Sequence, residues 1–318
     1  MQTIPIDHGN SWIKSANGGV FPAGLADAHG IADETVEYHG KQYALSNRRL
    51  PYMRDKTATL DYFILTLFAI GREMEGAEGP VGDIVLAVGL PPAHFKTGRA
   101  AFEAYFTVRS PISFKYNGRP LTIRIERVLC FPQAYAAAMV HADTIKGYSR
   151  FFVADIGGMT VDTLLLRYAV PDMAYTMSLE GGVNRLCNDI ARALSSELGV
   201  RAEQDQIESV LCMGTDNAQA CTLFDFSAIH LMERMAERFT ARLLDDLRER
   251  DIDLRTTPGM FIGGGALLLQ RFIEKSPAVK APWFIVDVRA NALGYQLLAE
   301  KALQSSNGET EQSAEDHL

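Results

Sequence analysis

Two short runs of the chain place a carboxylate next to glycine at the end of an apolar segment. Asp7-His8-Gly9-Asn10 follows Thr3 to Ile6, and Asp155-Ile156-Gly157-Gly158-Met159-Thr160 follows Phe151 to Ala154. Glycine lets backbone N–H groups approach phosphate oxygens, and an Asp at a strand end can hold a hydrated Mg2+ beside them. One such turn is adequately explained as a hairpin that needs glycine. Two, about half a chain apart and with Asp162 following the second, point to paired halves that grip a phosphate chain. A third turn, Gly263-Gly264-Gly265, closes the apolar run Met260 to Ile262 and opens the segment Ala266 to Glu274, which is expected to be helical. A helix dipole and free amides would then meet at one spot. The Lys-Ser/Thr of a P-loop and the spacing of a dinucleotide fingerprint are both absent.

Gln133 follows Pro132 at the start of the Ala-rich run Tyr135 to Val140. An amide there can orient a water for attack on phosphorus but cannot take its proton. His8 reads as a hydrogen-bonding neighbour, and the histidines show no metal spacing.

The elements that must position these groups follow from periodicity. Hairpins are expected over residues 3–16 and 35–45, with helices at 60–74, 135–140, 183–198 (ended by Gly199), 226–250, 266–274 and 291–303. Strands are expected at 83–88, 112–116, 121–128, 151–154, 161–167, 174–179, 260–262 and 283–286. The polar tail 304–318 reads as disordered. With 318 residues, 47% hydrophobic and 22% charged, two globular cores are affordable. A net charge of -8 argues against a surface that grips nucleic acid directly. Cys130, Cys187, Cys212 and Cys221 form no C-x-x-C pair, so buried free thiols in a reducing cytoplasm are expected. No signal peptide is read at the N-terminus, and the longest apolar stretch, 62–70, is too short to span a bilayer.

In this order the motifs resemble those of the actin/Hsp70/sugar-kinase superfamily. Ile6 to Asn10 is similar to its first phosphate motif, Phe131-Pro132-Gln133-Ala134 to its first connecting motif, and Asp155 to Asp162 to its second phosphate motif. Gly259 to Gly265 resembles the adenosine motif, and Arg289-Ala290-Asn291-Ala292-Leu293-Gly294 the second connecting motif. Within the superfamily, the length, the run Leu86 to Pro91 and the Asn-Ala-x-Gly ending look most like the ParM/StbA plasmid-segregating actins.

The resemblance implies an α/β actin-like ATPase fold, two related ribonuclease-H-like domains flanking a nucleotide cleft. Domain I would take residues 1–147 and 288–304, and domain II residues 148–287. It implies ATP, or alternatively GTP, with Mg2+ held by Asp7 and Asp155 through water. Nucleotide contacts are expected from Asp7, Gly9, Asn10, Gly157, Gly158, Met159, Thr160, Gly181, Gly182, Asn184, Gly263, Gly264, Gly265 and Asn291. Asp7, Asp155 and Gln133 would be the catalytic groups, with Gln133 placing the water. Several ParM-type proteins carry an acidic residue at that position, whereas actin has glutamine. The implied function is nucleotide-dependent filament assembly that segregates plasmid DNA through a DNA-binding adaptor at the plasmid centromere, without membrane or direct nucleic-acid contact. The alternatives are a sugar or acid kinase and a non-segregating actin-like scaffold.

Overall fold

The computed structural model describes residues 2–28, 34–53, 55–75, 81–214 and 218–315. The chain divides into two compact units, Met1–His141 with Arg289–Leu318, and Ala142–Val288.

The first unit opens with β1 (Gln2–His8), β2 (Trp12–Ser15), β3 (Gly19–Pro22), β4 (Leu25–Asp27), β5 (Thr35–Tyr38) and β6 (Lys41–Leu45). It continues with α1 (Asp61–Glu73), β7 (Val81–Leu90), α2 (Pro92–Thr107), β8 (Ile112–Tyr116), β9 (Arg119–Pro132) and α3 (Tyr135–Met139). Its strands form one sheet in the order β3-β2-β1-β7-β9-β8-β5-β6-β4. β1 runs antiparallel to β2 and parallel to β7, which runs parallel to β9. Central parallel strands are covered on both faces, which is why β1 and β7 read as continuous apolar runs. α1 is buried from Tyr62 to Gly71, a helix enclosed on all sides.

The second unit comprises α4 (Ala142–Ile145), β10 (Phe151–Ile156), β11 (Thr160–Arg167), β12 (Val170–Glu180), α5 (Val183–Leu198), α6 (Gln204–Met213), α7 (Ala218–Leu223), α8 (Phe226–Arg248), β13 (Gly259–Ile262), α9 (Gly264–Lys275) and β14 (Pro282–Phe284). Its sheet order is β12-β11-β10-β13-β14, with antiparallel pairs on the β12 side of β10 and parallel pairs on the other. The run β3-β2-β1-β7-β9 repeats the same connectivity and directions. Each unit therefore places an acidic residue at the end of its first strand, where the hairpin turns. In this unit Ile190 and Leu194 of α5, Met232 of α8 and Leu269 of α9 pack with Phe152 and Phe261 into one core.

The chain returns to the first unit in α10 (Ala290–Glu315). Tyr295 and Ala299 pack on Val85, Ala87 and Ala136. A Cβ on Gly294 would fall 2.1 Å from the Ala136 carbonyl oxygen, so only glycine permits this approach to α3.

Several expectations are corrected. α10 runs on past residue 303, where the last helix was expected to end. α2 and α6 fall where no helix was expected, and β9 runs past both expected ends. Cys130 and Cys187 are buried, but Cys212 and Cys221 are exposed: they lie on short helices with only a narrow buried stripe.

Candidate functional site

In the first unit the site is built on the β1–β2 hairpin. Register pairs Asp7 with Lys14, and directly paired residues share a face. Lys14 Nζ lies 3.1 Å from Asp7 Oδ2. Gln133, just past β9, donates from Nε2 to Asp7 Oδ1 at 2.9 Å. Asp7 is buried, and burial opposes its ionisation. The charge and hydrogen bond of Lys14, with the charge of Lys56, win and hold its pKa below the ordinary carboxylate value. Because a carboxylate only accepts, the Gln133 nitrogen must face it, which leaves Oε1 as the acceptor on the side away from Asp7.

The turn that carries Gln133 is held by backbone. Gln133 N–H donates to Leu90 O at 2.8 Å, and Ala134 N–H donates to Asn291 Oδ1 at 2.9 Å. Ala134 sits at φ 59°, a strained position for a residue with a Cβ, and the Asn291 bond helps to hold it there. Asn291, expected at the nucleotide, thus has its acceptor oxygen engaged as a brace for the Gln133 turn.

His8 is fully buried. Its Nε2 lies 2.8 Å from Thr66 Oγ1, and that hydroxyl donates to Tyr62 O at 2.7 Å, so His8 is the donor to it. Burial, reinforced by the Lys56 charge, lowers the His8 pKa to about 3, so the ring is neutral. Asn10 Oδ1 accepts from the Tyr62 hydroxyl at 3.2 Å. At Gly9 the constraint is internal to the turn: a Cβ would lie 2.5 Å from Trp12 O.

In the second unit Asp155 faces Asp162 in register across β10 and β11. Gly157 N–H closes the turn onto Thr160 O at 2.9 Å, and the Thr160 hydroxyl lies 3.1 Å from Asp162 Oδ2. The turn is stapled to the start of α5. Gly157 O accepts from Val183, Gly158 O from Asn184, and Met159 O from Gly181 and Gly182, at 2.8 to 3.1 Å. With the carbonyls engaged, the amides of Gly158 and Met159 are the donors this turn can present to a phosphate. Asn184 accepts from Gln204 at 2.9 Å, and Gln204 also donates to Glu208 at 2.6 Å, so α6 joins the site.

The three adjacent glycines do different things. Gly263 adopts φ 89°, and a Cβ there would lie 2.5 Å from Asp155 Oδ1. Gly265 would meet Ile156 at 2.7 Å. Gly264 has no heavy atom within 4 Å of its Cβ position, so the N-terminus of α9 faces open space beside the Asp155 carboxylate. An anionic group fits there. Among the described residues no group of three or more His, Cys, Asp or Glu side chains converges as a metal cage. The hard oxygens of Asp155 and Asp162 instead suit Mg2+ held mostly by water and phosphate. No described helix is long and apolar enough to cross a membrane.

This combination of paired sheets, two acidic hairpin turns and a glycine-capped helix defines an actin-like two-domain α/β protein. Residues 5–135 match the family model for the N-terminal domain of actin-like proteins, and residues 153–275 match that for the C-terminal domain of the archaeal MreB-like actin homologue. The chain belongs to the actin-like ATPase family. Among solved structures it is similar to the archaeal actin homologue Ta0583 (TM-score 0.75, 22% identity, covering 95% of this chain and 100% of that one), which is also known as an ADP complex. It is also similar to the pSK41 ParM protein (TM-score 0.70, 14% identity, 95% and 98% covered) and to the Alp12 filament structure (TM-score 0.64, 14% identity, 94% and 98% covered). Among curated proteins none matches the sequence.

Sequence reasoning missed Lys14, Lys56, Gln204 and the bracing role of Asn291. Only Lys14 carried a signal: in a hairpin with Gly9 at its turn, a lysine seven residues after Asp7 falls opposite it.

Proposed function

We propose that this protein hydrolyses ATP and polymerises into filaments whose stability follows the bound nucleotide. The observation that carries the reading is the Gln133–Asp7 hydrogen bond, which fixes an amide beside a buried, ionised carboxylate and leaves its acceptor oxygen for a different donor. In this reading Oε1 of Gln133 accepts a hydrogen bond from the attacking water and orients it, while Asp7 holds the amide in place. The amides of Gly158 and Met159 and the open N-terminus at Gly264 bind the nucleotide, with Gly181, Gly182 and Asn184 fixing the turn that presents them. Mg2+, held through water by Asp155, would neutralise phosphate charge. A protein that binds ATP and ADP with different affinities in two conformations shifts between them as hydrolysis proceeds. The ADP complex of Ta0583 and the filament form of Alp12 support nucleotide binding and self-assembly here.

Similarity to the pSK41 ParM protein supports plasmid segregation as the use of the filament. A net charge of -8 favours an adaptor as the DNA-contacting partner, and free cysteines suit a cytoplasmic setting.

The test is sedimentation with ATP, ADP and no nucleotide across a protein concentration series, with phosphate release measured without an added acceptor. Head-to-tail assembly gives polymer only above a critical concentration, with ATPase rising there. Absence of pelletable polymer at every concentration, with turnover only when a sugar or small acid is supplied, would replace this reading with a kinase.

A further inference from the structure

The segment between β6 and α1 carries a lysine that is almost entirely buried. Lys56 is 9% exposed. Its Nζ donates to the main-chain carbonyl of His8 and lies 5.2 Å from the centre of the Tyr62 ring. Burying an ammonium is costly unless partners replace its water, so an interior lysine needs such contacts. His8 is the last residue of β1, and its carbonyl marks the point where the chain leaves the strand for the turn that follows Asp7.

Two neighbouring side chains grip the same turn. The Tyr62 hydroxyl holds Asn10, and Thr66, one helical turn further along α1, holds the His8 ring. The lysine's own segment is fixed in turn. Asp55 Oδ1 accepts from the amide and the hydroxyl of Thr57 at 2.9 and 2.6 Å, an Asx turn that spans Lys56. Thr59 O accepts from the Tyr105 hydroxyl at 2.7 Å. Residues 55–66 therefore hold the Asp7 turn at a carbonyl, a ring and an amide.

We propose that Lys56 is a positioning residue for nucleotide hydrolysis: by binding the His8 carbonyl it fixes the turn that carries Asp7 and Asn10, and it ties residues 55–60 to the state of that turn. This rests on the ATPase reading above. Lys14 acts on the Asp7 carboxylate itself, whereas Lys56 acts on backbone, so its loss disturbs orientation more than affinity.

Lys56→Met keeps the stem and removes the donor. It is expected to lower kcat by ~10- to 100-fold, the scale of a small misplacement, with KM for ATP within about threefold of the parent. Lys56→Arg, which keeps a cationic donor, is expected to recover part of the rate. Parent-like kcat in Lys56→Met would overturn the proposal, as would equal losses in both variants with KM rising in proportion. A second measurement uses the unmodified protein. Cleavage by a lysine-specific protease after Lys56, taken relative to the exposed Lys96, should slow by ~10-fold when nucleotide is bound, since a fixed turn holds the lysine in. An unchanged ratio would overturn the proposal even if Lys56→Met does not fold. If the parent binds nucleotide without hydrolysing it, the ATPase reading fails, and the cleavage ratio still decides the role of Lys56.

Discussion

The side-chain amide of Gln133 donates to Oδ1 of Asp7 at 2.9 Å across 126 residues of sequence, and both groups are buried. The bond fixes which end of the amide faces Asp7. Gln133→Ala should keep nucleotide affinity and lose ~10- to 1000-fold in ATP turnover. Gln133→Glu should turn over no faster, because a second carboxylate against Asp7 forces one of the pair to hold a proton. Phosphate release together with fluorescent-nucleotide titration checks both.

Lys14 balances the Asp7 charge in an interior setting. Removing one partner of a buried pair costs about 3–5 kcal/mol. Lys14→Met should accordingly lower the urea midpoint at neutral pH, and Lys14→Met combined with Asp7→Asn should recover a large part of the loss. A double-mutant cycle by urea unfolding measures the coupling.

Gly264 and Gly263 separate ligand from fold. Gly264→Val enters open space at ordinary backbone angles, so it should leave the unfolding midpoint near that of the parent and weaken nucleotide binding by at least ~10-fold. Gly263→Ala meets both a left-handed φ and the Asp155 carboxylate, and should cost about 2–4 kcal/mol. Thermal unfolding and nucleotide titration distinguish the two.

The pH dependence of stability has a definite sign. His8 has a folded pKa of about 3 against an ordinary 6.5, so between those values the unfolded chain binds the extra proton. Stability is full above about 6.5 and declines as pH falls towards 3, by up to ~5 kcal/mol. Asp7, whose folded pKa is lowered, adds a loss in the same direction only below the ordinary carboxylate range. His141, also lowered by burial, contributes with the same sign as His8. His8→Gln should flatten the fall in the urea midpoint between pH 6.5 and 5, while the parent keeps it.

How far the sequence revealed this depends on the distance between partners. The acidic turns, the enclosed helix α1 and the end of α5 at Gly199 (φ 67°) were legible because each is specified by adjacent residues. α2 was not: its buried residues after Pro92 are confined to Phe102, Tyr105 and Phe106, so half of the helix shows no apolar stripe. Lys56 reaches His8 across 48 residues and Asn291 reaches Ala134 across 157, separations at which no periodicity carries information. The glycine triplet was visible as a turn. That its outer members pack while its middle one faces space is a property of the neighbouring strand, which sequence alone does not supply.

Gly294 carries no functional group, yet it sits against the carbonyl of Ala136, three residues after Gln133. A single added methyl at this crossing would act as a wedge under the short helix whose first turn aims the amide. A screen for lost activity would then recover Gly294→Ala alongside changes at Gln133 itself, and because the wedge meets backbone atoms of Ala136 and Ala137, trimming a side chain on α3 would not suppress it.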